Sequence, residues 1–213
     1  MLNHINANPD DLALLERSYN AIKQKDNLII VTDENERESI YRQTADALSI
    51  PAKADFSILN LFKLSLPTGQ FYIAQCLLDF GYPVTGRNMQ SSEHKYDFQL
   101  IGIAGLATDL GKTFLRPETR MDKMVGRFLD YDIDFTGQEV FNGKFYLASN
   151  NKGRVLKTFD KLFTDTIAKY KNVHLSIKNK EMYIWFARTL EAKQSAIIED
   201  IYSHCTFLAR QVI

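Results

Sequence analysis

Neither sign of charge is in excess in this chain: Lys and Arg total 26, Asp and Glu total 26, and the net charge is zero. A dedicated nucleic-acid binder carries a basic surplus, because phosphate neutralisation supplies most of its affinity. Nucleic acid is therefore not an expected partner. Cysteine is scarce. Cys76 and Cys205 stand far apart and form neither a disulfide framework nor a zinc-ligand pattern, which suits a reducing compartment or simple burial. No apolar stretch approaches the roughly 18 residues that span a bilayer. The start, "MLNHINANPDDLALLERSY", has no basic region followed by an apolar core. A soluble, cytoplasmic chain is expected. Repeats and low-complexity linkers are missing, as are HExxH, CxxC and GxSxG. His4, His94, His174 and His204 do not cluster in sequence. No catalytic residue and no cofactor is expected from these absences.

What is present is ordinary globular material: 213 residues, 45% apolar and 24% charged, enough for a real core. Asn8 can cap a first helix, with Pro9 at its first position and Asp10 and Asp11 in its first turn. Leu12, Leu15, Tyr19 and Ile22 then share one face. "NLIIV" reads as a short buried strand. Asp33 and Glu36 have capping-box spacing and open a second helix with Ile40, Tyr41, Thr44, Ala47 and Leu48, which Pro51 ends. Residues 56–106 read mostly as antiparallel strand, with "GRNMQSSEH" as a loop. "ETRMDKMVGRFL" has helical spacing. "YDIDF" alternates, with Tyr131, Ile133 and Phe135 inward and Asp130, Asp132 and Asp134 outward.

The last third is the most regular. "KFYLAS" is a strand, and Asn150 or Asn151 caps a long helix carrying Val155, Leu156, Phe159, Leu162, Phe163, Ile167 and Tyr170. "VHLSI" and "MYIWF" flank a hairpin turn in which Asn179 can turn left-handed. Thr189 caps a final helix through Ile197, Ile201, Cys205, Leu208 and Val212. This order predicts an α+β fold, a mostly antiparallel sheet with helices packed on it. It reads as one domain over 1–213, to which residues 1–50 can add a helical extension.

Three stretches invite a chemical reading. "GLATDLGKT" (105–113) looks like a phosphate loop, but Gly105 and Gly111 enclose five residues, one too many for the motif. Asp109 would set negative charge where phosphate sits, and Pro117 takes the helix start for itself. "KTFL" is then a short strand, the helix begins at Pro117, and no nucleotide is expected. "DYDID" (130–134) begins like a calcium loop, but Phe135 and Phe141 occupy the places of its Gly and Glu. It supports a divalent-metal hydrolase only with help from Glu118 or Glu139; a solvated strand face is the simpler reading, and no metal site is assigned. Arg154, Lys157 and Lys161 share the polar face of the predicted helix. That is a solvated face, or alternatively a weak surface for anionic lipid.

The order "FLRPE" (114–118), amphipathic helix, "DIDF" (132–135), "FNGKFYL" (141–147), long helix and hairpin resembles an uncharacterised bacterial domain family known only as a domain of unknown function. Its members show F-x-L-R-P-E-like, D-I-D-F-like and F-x-x-x-Y-x-L-like stretches, often after membrane helices. The resemblance spans roughly residues 40–187. It implies an α+β domain and carries no reaction or catalytic residues with it. Arg116, Glu118, Asp132 and Asp134 are the binding residues it singles out, and Arg154, Lys157 and Lys161 are the candidate basic surface. The expected function is a non-catalytic interaction or ligand-binding domain, with a protein or small ligand as partner. The alternatives are the metal hydrolase on 130–134 and a peripheral membrane module on the basic helix 152–171, a membrane surface being the least favoured partner.

Overall fold

Asn8 caps α1 (Pro9–Lys23) through its side-chain oxygen, which accepts from the Asp10 amide at 3.0 Å. Pro9 occupies a position that needs no N–H, and Asp10 and Asp11 lie at the positive helix end. The computed structural model describes residues 8–25, 28–48, 50, 54–66, 69–86, 89–119, 132–178, 180–186 and 193–201. After β1 (Leu28–Ile30), the Asp33 carboxylate accepts from the Glu36 amide at 2.7 Å and opens α2 (Glu34–Leu48). The reciprocal half of the capping box is not the bond Glu36 makes here. Its carboxylate turns to the sheet and accepts from Lys63 Nζ at 2.9 Å and Tyr72 Oη at 2.6 Å.

The strands β2 (Ala54–Leu66), β3 (Gly69–Gly86) and β4 (Met89–Gly105) form a meander. After them come β5 (Thr113–Pro117), α3 (Glu139–Asn142), β6 (Phe145–Ser149), α4 (Lys152–Thr158), α5 (Lys161–Ala168), β7 (Val173–Lys178) and β8 (Glu181–Phe186). Residues 194–201 form a further helix, α6. One sheet takes the order β1-β2-β3-β4-β8-β7-β5-β6, every neighbouring pair antiparallel. The β7–β8 hairpin is thus inserted between β4 and β5, so the last strands in sequence join the two halves of the sheet. The fold is α+β with helices packed on an antiparallel sheet, as the sequence predicts.

Alternation along the strands sends apolar side chains to both faces. On the first face, Phe62, Phe71, Ile73, Leu100, Ile184, Leu175, Leu115 and Leu147 meet Leu15 and Ile22 of α1, Val155 of α4, Phe163 and Ile167 of α5, and Ile198 and Ile201 of α6. On the second face, Leu61, Ala74, Cys76, Ile101, Ile103 and Tyr183 meet Ile40 of α2. Among the described residues α2 is the one helix on that face, and it covers the β2–β4 side of it.

Several sequence expectations need correction. "NLIIV" is a strand, but β1 is a sheet edge, and Ile29 is 58% exposed. The proposed loop 86–94 is strand from Met89, because β3 and β4 keep pairing to Gly86↔Met89. The long helix after "KFYLAS" is two helices. Phe159 is extended, and Asp160 starts α5 by accepting from the Phe163 amide at 2.9 Å. Pro117 does not begin a helix: it ends β5, opposite Phe145. The Glu118 amide donates to Lys144 O at 2.8 Å, so the Pro117 nitrogen faces β7, and the β5–β7 pairing stops at Leu115↔Leu175. In the β7–β8 hairpin Lys180 is left-handed, with φ 64°. The predicted roles of Asn179, Thr189, Cys205, Tyr131 and the helix "ETRMDKMVGRFL" lie outside the described residues.

Candidate functional site

The second face of the sheet is not covered evenly. Where α2 ends, a groove of about 380 Å³ runs over β5, β7 and β8. The antiparallel registers arrange its floor in rows across strands roughly 4.8 Å apart. Phe114 stands opposite Ser176 and Ser176 opposite Tyr183. One step along, Arg116 follows on β5, near enough for its charge to act on His174, which stands opposite Trp185. At the other end lie Lys112 and Lys178. The C-terminal turn of α2 makes the wall, contributing Asp46, Ala47 and Leu48. It is fastened there by Ser176 Oγ, which donates to Ala47 O at 3.4 Å, and by an ion pair between Lys178 and Asp46.

Rings and cations alternate on this floor. The Arg116 guanidinium lies over the Tyr146 ring, 4.9 Å from its centroid. Phe114 tilts against the same ring at 5.8 Å, and His174 lies against Trp185 at 5.3 Å. Phe114 is 45% exposed although it is a large apolar residue on a sheet face, which marks the groove as open. Burial, and secondarily the Arg116 charge, hold the His174 imidazole below its usual pKa. It is neutral at pH 7, with one nitrogen to donate and one to accept. Ser176 Oγ finds its hydrogen-bond partner in Ala47 O, at 3.4 Å.

Of the residues singled out in the sequence, Arg116 lines this groove. Glu118, Asp132 and Asp134 lie elsewhere, at the β6 edge of the sheet. There Ile133 donates to Leu147 O at 2.8 Å, and Asp132 Oδ1 accepts from the Leu147 amide at 3.1 Å and the Ile133 amide at 2.9 Å. Ile133 and Phe135 are buried and Asp134 is exposed, so the alternation holds, yet 132–135 is not a strand. It is a short plug on the edge of β6, with a carboxylate standing in for a backbone carbonyl. Burial raises the Asp132 pKa, and the charges of Asp134 and Glu118 add to that, while the two amide bonds oppose it. Among the described residues no group of three or more His, Cys, Asp or Glu is placed to hold a metal ion, and Asp130 lies outside them.

The remaining candidates separate. Arg154 and Lys157 are on α4 and Lys161 begins α5, so they do not share one helical face. Arg154 instead donates to Asp109 O at 2.9 Å and ties α4 to the 105–113 loop. In that loop the Gly111 amide donates to Asp109 Oδ1 at 2.8 Å, and the Lys112 amide to Asn150 Oδ1 at 2.8 Å. Gly111 has φ +70°, and a Cβ there would come 2.1 Å from Asn150 Oδ1. The loop leads into a strand, not a helix, as Pro117 suggested. No helix among the described residues is long and apolar enough to cross a membrane. No protein-family model, curated protein or solved structure matches the chain.

Phe114, His174, Ser176, Lys178 and Trp185 were not singled out in the sequence. A signal existed: "VHLSIK" alternates, so His174, Ser176 and Lys178 must share the face opposite Val173, Leu175 and Ile177. The pairing Lys178↔Glu181 then sets Trp185 opposite His174.

Proposed function

We propose that this chain is a non-catalytic binding domain that holds a small ligand in the groove between the end of α2 and strands β5, β7 and β8. The observation that carries the reading is the open row of rings and cations there, with Phe114 45% exposed on the face of the sheet. Such a site, mostly apolar with a few convergent polar groups, is the usual form of a small-molecule pocket. A cytoplasmic setting is part of the proposal and is supported by the buried, free Cys76. Kinship with the family of unknown function belongs to it as well. The landmarks of that resemblance supply Phe114 and Arg116 to the groove and the plug to the β6 edge.

Trp185 is the chain's single tryptophan, so its indole N–H gives one NMR signal from inside the groove. Titration of the full chain with a panel of aromatic acids, amines and neutral rings is expected to shift it saturably. Phe114→Ser is expected to weaken binding about tenfold with the melting temperature held, since loss of one stacking surface is worth roughly 0.5–1.5 kcal/mol. A silent Trp185 signal across the panel, or recovery of a ligand chemically changed, would end this reading.

A further inference from the structure

We infer that the ligand class of this groove is a planar aromatic acid, bound with its ring over Phe114 and its carboxylate toward Lys112. The inference rests on the binding role proposed above and adds the chemistry of the occupant.

Three observations lead to it. Lys112, immediately before β5, and Phe114 and Arg116 on it line the same groove at two-residue intervals, a cation on either side of a ring, and the Asn150 amide donates to Lys112 O at 3.1 Å, so the bonding between β5 and the β6 side reaches back to Lys112. Alternate residues of a strand are about 6.6 Å apart, roughly the length of one aromatic ring with its carboxyl carbon. A ring seated on Phe114 therefore brings an attached acid group to the ammonium of Lys112. Secondly, the charges near that end favour an anion. Asp46 is the one acidic residue of the lining, and it is already paired with Lys178. Lys112 is exposed and makes no side-chain hydrogen bond among the described residues. Thirdly, the shape favours a flat molecule. Ala47 and Leu48 rise on one side, and the floor is the face of three paired strands, on which the exposed Phe114 ring offers a flat surface. His174, uncharged, can meet a hydroxyl or ring nitrogen at the far end by donating or accepting.

The test follows the Trp185 indole signal of the full chain during titration with benzoate, benzamide and cyclohexanecarboxylate. Benzoate should bind about fivefold more tightly than benzamide, its neutral isostere, as one solvent-accessible ion pair allows. It should also outbind the saturated acid, which cannot lie flat on Phe114. Lys112→Ala should erase the difference between benzoate and benzamide while leaving benzamide unchanged. That substitution is at an exposed side chain, so folding is not at stake. If benzamide binds as well as benzoate, or Lys112→Ala has no effect, the anionic class is wrong and the groove remains a binding site for neutral rings. If the saturated acid binds as well as benzoate, the aromatic class is wrong. Silence toward all three probes at their solubility limits, with the wider panel silent too, overturns the binding role itself.

Discussion

At Asp132 a charge and a hydrogen-bond acceptor can be told apart. The acceptor is useful: it closes the Leu147 amide at a sheet edge, where an open N–H would invite another strand. The charge is not useful, because burial and the neighbouring acids push the pKa up. Asp132→Asn keeps an oxygen in place and removes the charge, so its stability should equal or exceed that of the parent at pH 7. Asp132→Ala leaves the amide unbonded and should cost about 1–3 kcal/mol. Urea denaturation measures both; equal losses in the two variants would show that the plug depends on the charge. The sequence offered a half-truth here. Asn8, Asp33 and, as one of two candidates with Asn150, Asn151 were legible as caps because each bonds an amide two or three residues ahead. The partner of Asp132 is 15 residues away, and no local rule reaches it.

Elements were legible where their signals were local and continuous, and less so where two signals competed. From Val155 to Tyr170 the apolar spacing reads as one helix, yet Asp160 is also a good N-cap. Capping wins: the extended Phe159 turns the chain, and its ring lies tilted against Phe163 at 4.1 Å between centroids. Asp160→Ala should therefore cost about 1 kcal/mol, within the usual range for a cap, with Asp160→Asn nearly neutral. An unchanged melting temperature in the alanine variant would mean that packing of Phe159 and Phe163 alone breaks the helix. Residues 86–94 fail for the opposite reason. Their Gly, Asn and Ser content signals a loop, but the pairing already running through β3 and β4 carries the residues from Met89 along as strand. The groove was hidden in another way. Its members come from α2 and three strands, and only the order of the whole sheet, with the β7–β8 hairpin inserted beside β5, brings them together.

For the molecule as a whole, the position of α2 matters most, because its far end is the wall of the groove. It is held at both ends: Asp46 pairs with Lys178 at the C-terminus, and Glu36 takes bonds from Tyr72 and Lys63 at the N-terminus. The hydrogen bond from Tyr72, then that from Lys63, lowers the Glu36 pKa. A depressed carboxylate contributes stability that is full above its ordinary pKa and disappears as pH falls through the folded value. Asp132 has the opposite sign: its raised pKa means that stability is lost as pH rises from the ordinary carboxylate value through the folded one. Melting curves from neutral to acid pH should separate the two. Glu36→Gln should be less stable than the parent at pH 7 by about 0.5–1 kcal/mol, modest because the Glu36 side chain is 31% exposed. The deficit should shrink to zero in acid, once the parent's carboxyl is protonated too. Asp132→Asn should match the parent in acid and gain on it toward neutrality. A Glu36→Gln deficit that stays constant with pH would mean that the side chain holds α2 by its shape and neutral hydrogen bonds, and that its charge has no part in placing the wall.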